Sequence, residues 1–239
     1  MIQLRFYICL IFLPFLNTVF ADELYIAVAA NFTKPAKHLV QKFGTKHNVN
    51  ISFGSTGQLY TQIRHGAPFD IFLAGDMQRP QKLVTDGLAN NLFVYARGRL
   101  ILWSKKSNLL VKNMLNNNQF NRLAIAHPKI APYGAAAKQV LEKLGLWDRL
   151  QDKIIRGNNI SQAYQFIITS NAELGFIALS QYQNTGSYWL IDENLYSPIL
   201  QGAVSLNQKP VTKEFIKFLQ GRIAHKTIKK SGYIINKQH

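Results

Sequence analysis

The sequence predicts an α/β protein with two mainly parallel sheets, each flanked by helices. In the first part of the chain, short apolar runs alternate with stretches whose apolar residues recur every three or four positions. This alternation is typical of a parallel sheet covered by helices. It returns after a break at Arg97-Gly98-Arg99, and polar side chains stand at four of the strand-to-helix joints. Two such sheets facing each other would bring four helix N-termini to one cleft.

The first half of the chain contains three predicted strand–helix pairs. Apolar or alternating runs predict strands at residues 24–29, 49–53 and 69–74. Each run is followed by apolar residues at helical spacing, and the clearest set shares one helix face: Ala36, Leu39, Val40 and Phe43. This order of elements places the strands side by side in one sheet.

The second half of the chain repeats the pattern. Apolar runs predict strands at residues 100–103, 123–126, 154–155 and 174–179, with extended segments over 196–206. Helices are predicted between them, the clearest with one apolar face formed by Ala137, Val140, Leu141 and Leu144. A last helix through Leu219 is expected to precede a basic tail.

The duplicated pattern predicts two lobes joined by two extended crossings, near Gly98 and near Pro198. We expect the first lobe to comprise residues 22–97 and 200–239 and the second lobe to comprise residues 98–199. Lobes joined in this way can close on a ligand like a hinge.

The segment Gly54-Ser55-Thr56-Gly57 joins the second predicted strand to its helix. Glycine permits a sharp turn and close approach to a ligand, and Ser and Thr cap the first amides of a helix. The amides at a helix N-terminus also bind anions without any basic side chain. Taken alone, this segment is an ordinary helix cap. Similar joints at Ala30-Asn31, Pro132-Tyr133-Gly134 and Asn159-Ile160 favour a site for a small anion.

Residues 1–21 have the features of a secretory signal peptide. Arg5 precedes an apolar run over 6–16, and Val19-Phe20-Ala21 approximates a cleavage site, so we expect cleavage before Asp22. An uncleaved anchor is the alternative, although the run is short for a bilayer span. The chain has one cysteine, Cys9, and it lies in this segment. An exported protein without disulfides suits the bacterial periplasm.

The chain is strongly basic, with 28 Lys and Arg against 12 Asp and Glu and a formal net charge of +16. Such a bias permits acidic partners, such as nucleic acid or anionic lipid. The basic residues are scattered, however, and the densest group is Lys226, Lys229 and Lys230. The sequence contains no recognisable nucleic-acid motif. We therefore expect a solvated basic surface and no nucleic-acid partner.

Four segments of the chain resemble a known family. They are Val28-Ala29-Ala30-Asn31-Phe32, Ser52-Phe53-Gly54-Ser55-Thr56-Gly57, the run from Gly66 to Asp76, and Leu174-Gly175-Phe176-Ile177-Ala178. In this order, through essentially the whole mature chain, the sequence is similar to the periplasmic molybdate-binding components of ABC transporters. The resemblance implies a two-lobed type II periplasmic binding protein fold that holds molybdate or tungstate between the lobes. It further implies a monomer without cofactor or enzymatic activity that delivers its ligand to a membrane permease.

The resemblance also implies ligand-binding residues in the first lobe. Members of the family end the first strand with Asn or Ser, which is Asn31 here. A hydroxyl residue opens the second helix, and by register Thr56 fits this position, with Ser55 beside it.

In the second lobe, the resemblance implies donors at Tyr133 and at the main-chain amide of Ile160. Many members carry tyrosine where this chain has Ala178. We therefore expect Tyr133 to bring its hydroxyl as well as its amide to the anion.

Another oxyanion is the main alternative. Sulfate has the charge and shape of molybdate and differs in size. Phosphate would call for an inward-facing carboxylate, such as Asp70 or Asp76, which we otherwise expect to form turn or hinge hydrogen bonds. A ferric site would need adjacent tyrosines, and the sequence has no such pair.

Two further classes of function are a hydrolase and a surface module for nucleic acid or lipid. A hydrolase would need an activated nucleophile, but the segment around Ser55 is not a G-x-S-x-G elbow. A surface module would bind in a strongly salt-dependent way.

The sequence does not favour a metal site. His127 has no second histidine at ligand spacing.

Overall fold

The computed structural model describes residues 22–44 and 46–235. The predicted signal peptide at 1–21, Thr45 and residues 236–239 lie outside these ranges, so cleavage before Asp22 stays a prediction. Within the described ranges, no helix combines the length and the apolar character that a bilayer span requires.

Strands and helices alternate along the described chain. The strands are β1 (Glu23–Ala29), β2 (Asn48–Gly54), β3 (Ile71–Leu73), β4 (Asn90–Gly98), β5 (Leu100–Ser104), β6 (Leu123–Ala126), β7 (Ile154–Gly157), β8 (Leu174–Ala178), β9 (Ser187–Leu190) and β10 (Ile199–Ser205). The helices are α1 (Thr33–Phe43), α2 (Thr56–Arg64), α3 (Gln78–Thr85), α4 (Val111–Asn116), α5 (Pro132–Lys143), α6 (Ile160–Ile168), α7 (Pro210–Leu219) and α8 (Arg222–Lys230).

The strands form two five-stranded sheets, and each sheet is the centre of one lobe. The first lobe has the order β2-β1-β3-β10-β4, and the second lobe has the order β7-β6-β8-β5-β9. In each sheet three neighbouring strands are parallel, the fourth is antiparallel to them, and the fifth is antiparallel to the fourth. Most strands of a lobe therefore point the same way, which confirms the predicted pair of mainly parallel sheets.

The reversed strands β5 and β10 are the part of the topology that the alternation of elements did not reveal. Each of them enters its sheet after a crossing from the other lobe, rather than after a helix. A β–α–β pattern predicts parallel neighbours only for strands that a helix connects.

The chain crosses between the lobes twice. β4 ends at Gly98 in the first sheet and β5 begins at Leu100 in the second, and the return lies between Leu190 and Ile199. The limits predicted from the sequence place the crossings within one residue of the end of β4 and the start of β10. They stay predictions of the lobe boundaries.

Each lobe has its own apolar core. In the first lobe, α1, α7 and α8 pack on one face of the sheet, where β1 contributes Leu24, Ile26 and Val28 to a cluster that includes Leu39 and Phe215. α2 packs on the other face of β1. Since both faces of β1 are covered, the strand reads as a continuous apolar run rather than as an alternating one.

The basic tail predicted after α7 is wrong for residues 222–230, which form α8. Ala224, Thr227 and Ile228 are buried along one side of this helix, while Lys229 and Lys230 are exposed. The buried residues recur at i, i+3 and i+4, which is helical spacing. The helix is therefore amphipathic, and its basic residues lie on the solvent side.

Gly98, at the first crossing, provides a first prediction. A Cβ atom here would lie 2.0 Å from the Tyr133 hydroxyl and 2.9 Å from Gln201 Nε2. We expect Gly98→Ala to force the lobes apart and to lower the free energy of unfolding by about 1–3 kcal/mol, as overpacking does. Urea denaturation and the radius of gyration from solution scattering measure both effects. In the control Gly221→Ala, the nearest atom to the new Cβ would be 3.1 Å away. Equal behaviour of the two variants would contradict the steric argument.

Candidate functional site

The ends of β1, β2, β6 and β7 meet where the two lobes face each other. Each strand leads there into a turn or a helix N-terminus. Together they line a small cavity. Its lining comes from both lobes: Ala29, Ala30, Asn31, Gly54, Ser55, Thr56, Ala131, Pro132, Tyr133, Asn159 and Ile160. The cavity thus brings together every residue that the sequence nominated for ligand binding.

Four main-chain amides in this lining have no acceptor within the described chain. They belong to Asn31, Thr56, Tyr133 and Ile160, each at the start of a helix or 3-10 turn. A helix leaves its first N–H groups without an intrahelical partner. Buried N–H groups without a partner are costly, so their convergence indicates a place for a negatively charged or strongly accepting ligand.

Local capping decides which amides stay free. In α5, Pro132 has no N–H group, and the amide of Gly134 donates to the Ala131 carbonyl at 2.9 Å. In α6, the capping side chain of Asn159 accepts at 3.0 Å from an amide beyond Ile160. The amide of Tyr133, the second residue of α5, and the amide of Ile160, the first residue of α6, therefore remain available to a ligand.

The hydroxyls of Ser55 and Thr56 differ in what they can donate. Ser55 Oγ accepts from the Gln58 amide at 3.3 Å, and Gln58 Oε1 accepts from the Ser55 amide at 3.3 Å, which completes a capping box. Ser55 Oγ also donates to Gln58 Oε1 at 2.9 Å, which occupies the hydroxyl proton. Thr56 Oγ1 accepts from the Gly75 amide at 3.0 Å, and its own proton has no acceptor in the described chain. Thr56 is therefore the hydroxyl that is free to donate to a ligand.

The side chain of Asn31 is held by the first lobe. Its Nδ2 group donates to Gln201 Oε1 at 2.9 Å and to the Tyr233 hydroxyl at 3.0 Å. With both amide protons engaged, the main-chain amide is the donor that Asn31 has free. Sequence reasoning missed Gln201 and Tyr233, because they lie 170 and 202 residues beyond Asn31 and no local motif marks them.

The Tyr133 hydroxyl joins the same group of side chains. It accepts from Gln201 Nε2 at 3.2 Å and lies against Gly98. Burial raises the pKa of Tyr133, so the phenol stays neutral. Tyr95 completes the group through a 2.8 Å hydrogen bond to Gln201 Oε1. We refer to Asn31, Tyr95, Tyr133, Gln201 and Tyr233 as the polar cluster.

Direct hydrogen bonds join the lobes around the cavity. The Gly57 amide of the first lobe donates to the Ile130 carbonyl of the second at 2.9 Å. Arg79 Nη2 donates across the same junction to the Lys129 carbonyl at 2.9 Å. The structure is therefore a closed arrangement of the lobes.

Asp70 and Asp76, the two carboxylates considered above as acceptors for a phosphate proton, do not line the cavity. Asp70 is buried, accepts from the Tyr25 amide at 2.6 Å and pairs with Lys209 at 2.8 Å. Asp76 accepts from the Arg79 amide at 3.0 Å and pairs with its guanidinium group. Asp76 therefore makes the turn hydrogen bond that was predicted for it, whereas Asp70 bonds the main chain of β1 instead of a turn or the hinge. The described lining of the cavity contains no carboxylate that could accept the proton of a phosphate.

Two other positions singled out in the sequence also stand apart from the cavity. His127 Nδ1 accepts from the Lys129 amide at 3.3 Å, and the described residues contain no group of three or more His, Cys, Asp and Glu that could hold a metal ion. Ala178 is fully buried at the end of β8 and is not part of the lining.

Several basic side chains line a groove outside the cavity. Lys34, His38 and Lys42 follow one face of α1, and Lys230 of α8 lines the same groove. These side chains are exposed to solvent, and no acidic residue is among those that line the groove in the described chain. The cavity itself has no charged residue in its described lining.

Two lobes, two crossings and an enclosed cavity of neutral donors define a solute-binding protein. The chain belongs to the bacterial extracellular solute-binding protein family, which it matches over residues 24–234.

Similar proteins agree with this fold. The chain is 46% identical over 227 residues to the molybdate-binding protein ModA of Azotobacter vinelandii, covering 89% of this chain and 90% of that protein. It is 44% identical over 224 residues to ModA of Rhodobacter capsulatus, covering 90% and 89%. The solved periplasmic molybdate-binding protein of Azotobacter vinelandii superposes with a TM-score of 0.86 at 36% identity, covering 90% of this chain and 100% of that one. The two-lobed binding-protein fold predicted from the sequence is thereby confirmed.

Tyr233 provides a pH-dependent prediction. Burial raises its pKa to about 12, an effect that hydrogen bonds with Ser180 and Asn31 partly oppose. An unfolded tyrosine ionises near pH ~10, so the buried phenol stabilises the fold below that pH and loses its contribution as the pH rises toward the folded-state value. In urea unfolding at pH ~9, ~10 and ~11, we expect stability to fall less steeply in Tyr233→Phe, by at most about 1.4 kcal/mol per pH unit. Parallel profiles for the two proteins would refute this.

Proposed function

We propose that this chain is the periplasmic solute-binding component of an ABC importer and that it binds molybdate or tungstate. The observation that carries the proposal is the uncharged cavity, in which four free amides and the Thr56 hydroxyl converge from two lobes. The relatives at 46% and 44% identity bear the name molybdate-binding protein, which points to the same anion.

A tetrahedral dianion matches this set of donors. It offers four oxygens that accept hydrogen bonds and no proton that would need an acceptor. Helix N-termini stabilise negative charge through their free N–H groups and their dipoles. Each hydrogen bond is stronger inside a closed cleft than in water, so neutral donors suffice.

Within this proposal, the amides of Asn31, Thr56, Tyr133 and Ile160 bind the oxygens, and Thr56 adds its hydroxyl. Ser55, which was also expected to be a ligand, lines the cavity but has its proton on Gln58. It therefore serves chiefly to fix the first turn of α2. The Tyr133 hydroxyl accepts from Gln201 Nε2, which leaves its own proton without an acceptor in the described chain, so the hydroxyl stays a proposed donor beside the amide.

Another oxyanion is the alternative, and no feature of the cavity favours it. The described lining offers no carboxylate for the proton of a phosphate. The solved sulfate-binding protein SubI of Mycobacterium tuberculosis shares the fold with a TM-score of 0.72 but only 10% identity. Discrimination between sulfate and molybdate would come from size, because a smaller ion leaves buried donors without an acceptor.

The family role supplies the remaining parts of the proposal. The protein would act without catalysis or cofactor, as a monomer, in the periplasm after removal of residues 1–21. Its partner would be the membrane permease of the importer, which receives the anion from the closed protein.

Isothermal titration calorimetry with molybdate, tungstate and sulfate tests the proposed function. We expect one ion per chain, nearly equal affinity for molybdate and tungstate, and binding of sulfate weaker by at least about a hundredfold, since each unpaired buried donor costs roughly 1–3 kcal/mol. Comparable affinity for sulfate would reject the assignment of the anion.

A pair of neighbouring variants tests which first-lobe hydroxyl binds the anion. We expect Thr56→Val to weaken molybdate binding about tenfold to a hundredfold, the usual loss of a hydrogen bond to a charged partner, and Thr56→Ser to restore it. Ser55→Ala should lower the free energy of unfolding by about 1 kcal/mol through loss of the cap, with little change in affinity. Calorimetry and urea denaturation of the three variants measure these effects. The reverse pattern would assign the ligand role to Ser55.

A further inference from the structure

The 3-10 turn Ala30–Phe32 faces two ways. The amide of Asn31 is free at the cavity, whereas the carbonyls of Ala30 and Asn31 accept from side-chain hydroxyls. Ser161 Oγ donates to the Ala30 carbonyl at 3.2 Å, and Ser180 Oγ donates to the Asn31 carbonyl at 2.9 Å. Both serines belong to the second lobe, Ser161 in α6 and Ser180 just after β8. The turn therefore presents a donor to the cavity and two acceptors to the opposite lobe.

Tyr233 brings a third hydroxyl to this turn. It lies 2.7 Å from the Asn31 carbonyl and 3.0 Å from Ser180 Oγ. Its ring packs edge-to-face on Phe32 with a centroid separation of 5.3 Å, inside the first-lobe core. The next residue, Ile234, pairs with the main chain of β4 at 2.8 and 2.9 Å. Tyr233 is thus fixed to the first lobe, and its contact with Ser180 exists only while the lobes are closed.

The side chain of Asn31 is restrained within the first lobe. Its Nδ2 group binds Gln201 and Tyr233, both in the first lobe. The first lobe therefore sets the place of the turn, while the second-lobe serines reach only its carbonyl side. Parting of the lobes would remove the serines and leave the turn with the first lobe.

We propose that Ser161, Ser180 and Tyr233 are positioning residues that couple closure of the lobes to anion binding through the turn at Asn31. We name these three residues the carbonyl clamp; the proposal rests on the function proposed above. On closure, Ser161 hydrogen-bonds the Ala30 carbonyl, which shares its peptide group with the Asn31 amide, and Ser180 hydrogen-bonds the Asn31 carbonyl. Hydrogen bonds in a chain polarise one another, so a peptide group that accepts at its carbonyl is a better donor at its N–H.

The clamp makes a prediction about rates that a purely structural role does not make. The anion meets the open protein, in which Tyr233 still bonds the Asn31 carbonyl but neither serine of the second lobe reaches the turn. Loss of a serine hydroxyl should therefore leave association nearly unchanged. Dissociation requires opening, and each missing hydrogen bond of the closed state speeds opening. The ratio of molybdate to sulfate affinity should stay the same, because the clamp acts on closure and leaves the positions of the donors unaltered.

The chain offers a control within the first lobe. Ser205 is buried, and its hydroxyl bonds Asn91 at 2.9 Å in the same lobe. Ser205→Ala thus removes a comparable hydroxyl without removing a contact between the lobes.

Stopped-flow fluorescence with molybdate, together with solution scattering at saturating molybdate, tests the clamp. We expect Ser180→Ala and Tyr233→Phe each to speed dissociation about threefold to tenfold, and Ser161→Ala/Ser180→Ala about tenfold to a hundredfold. Association rates should change less than about twofold, because the serine contacts form only on closure and most effects of such variants lie in the dissociation rate. Ser180→Thr, which keeps the hydroxyl, should dissociate like the parent, and Ser205→Ala should do so even where it melts at lower temperature.

Three outcomes separate this proposal from the proposed function. If the parent protein does not bind molybdate, the proposed function is rejected, and the clamp, which rests on it, is rejected as well. If the parent binds molybdate but Ser161→Ala/Ser180→Ala dissociates as slowly, the function stands and the clamp is rejected. If Ser205→Ala dissociates as fast as the clamp variants, the effect reflects general loss of packing, and the clamp is also rejected.

Discussion

The site depends on one constraint of the polypeptide: the first amides of a helix have no partner within that helix. Four such helix or turn starts meet between the lobes, so donors accumulate where the two halves of the protein close. In the open protein, water can accept from these amides. Closure removes that water, and a buried donor without an acceptor costs roughly 1–3 kcal/mol. An anion in the cavity supplies the missing acceptors, so binding and closure become one equilibrium.

The reversed strands place the hinge at the level of this cavity. The end of β4 pairs with the start of β10, at Gly98 and Ile199, and the start of β5 pairs with the end of β8, at Leu100 and Ala178. The parallel strands of each sheet end at the same edge, so both crossings leave and enter the sheets beside the cavity. A rotation at the crossings therefore opens and closes the edge where the amides lie, and leaves each lobe's core intact. This explains why Gly98, a hinge residue, touches Tyr133, a cavity residue.

Local patterns in the sequence predicted eight of the ten described strands, the two-lobed fold and several residues of the cavity lining, but they missed β4 and β9. Asn31, Thr56, Tyr133 and Ile160 each follow a recognisable run of apolar residues, and the carboxyl ends of parallel strands share one edge. The polar cluster behind the cavity was not predictable in the same way. Gln201 lies in the reversed strand β10. Tyr233 follows α8, which was predicted to be a basic tail because its lysines outnumber its buried apolar residues. Their role appears only when distant segments are placed side by side, and a single sequence carries no signal of that pairing.

The separation of charge from the site explains how a protein of net charge +16 can hold an anion in an uncharged cavity. A buried lysine would attract any anion, with little regard to the position of its oxygens, and would itself need desolvation. Amides fixed by helices attract through direction as well as charge, so a cage of amides can reject an ion of the wrong size. The exposed lysines along α1 and α8 act at longer range, where salt screens them beyond about 8–10 Å. Their field can raise the frequency of encounters with the open protein, whereas the residence of the anion is set by donors that salt does not reach.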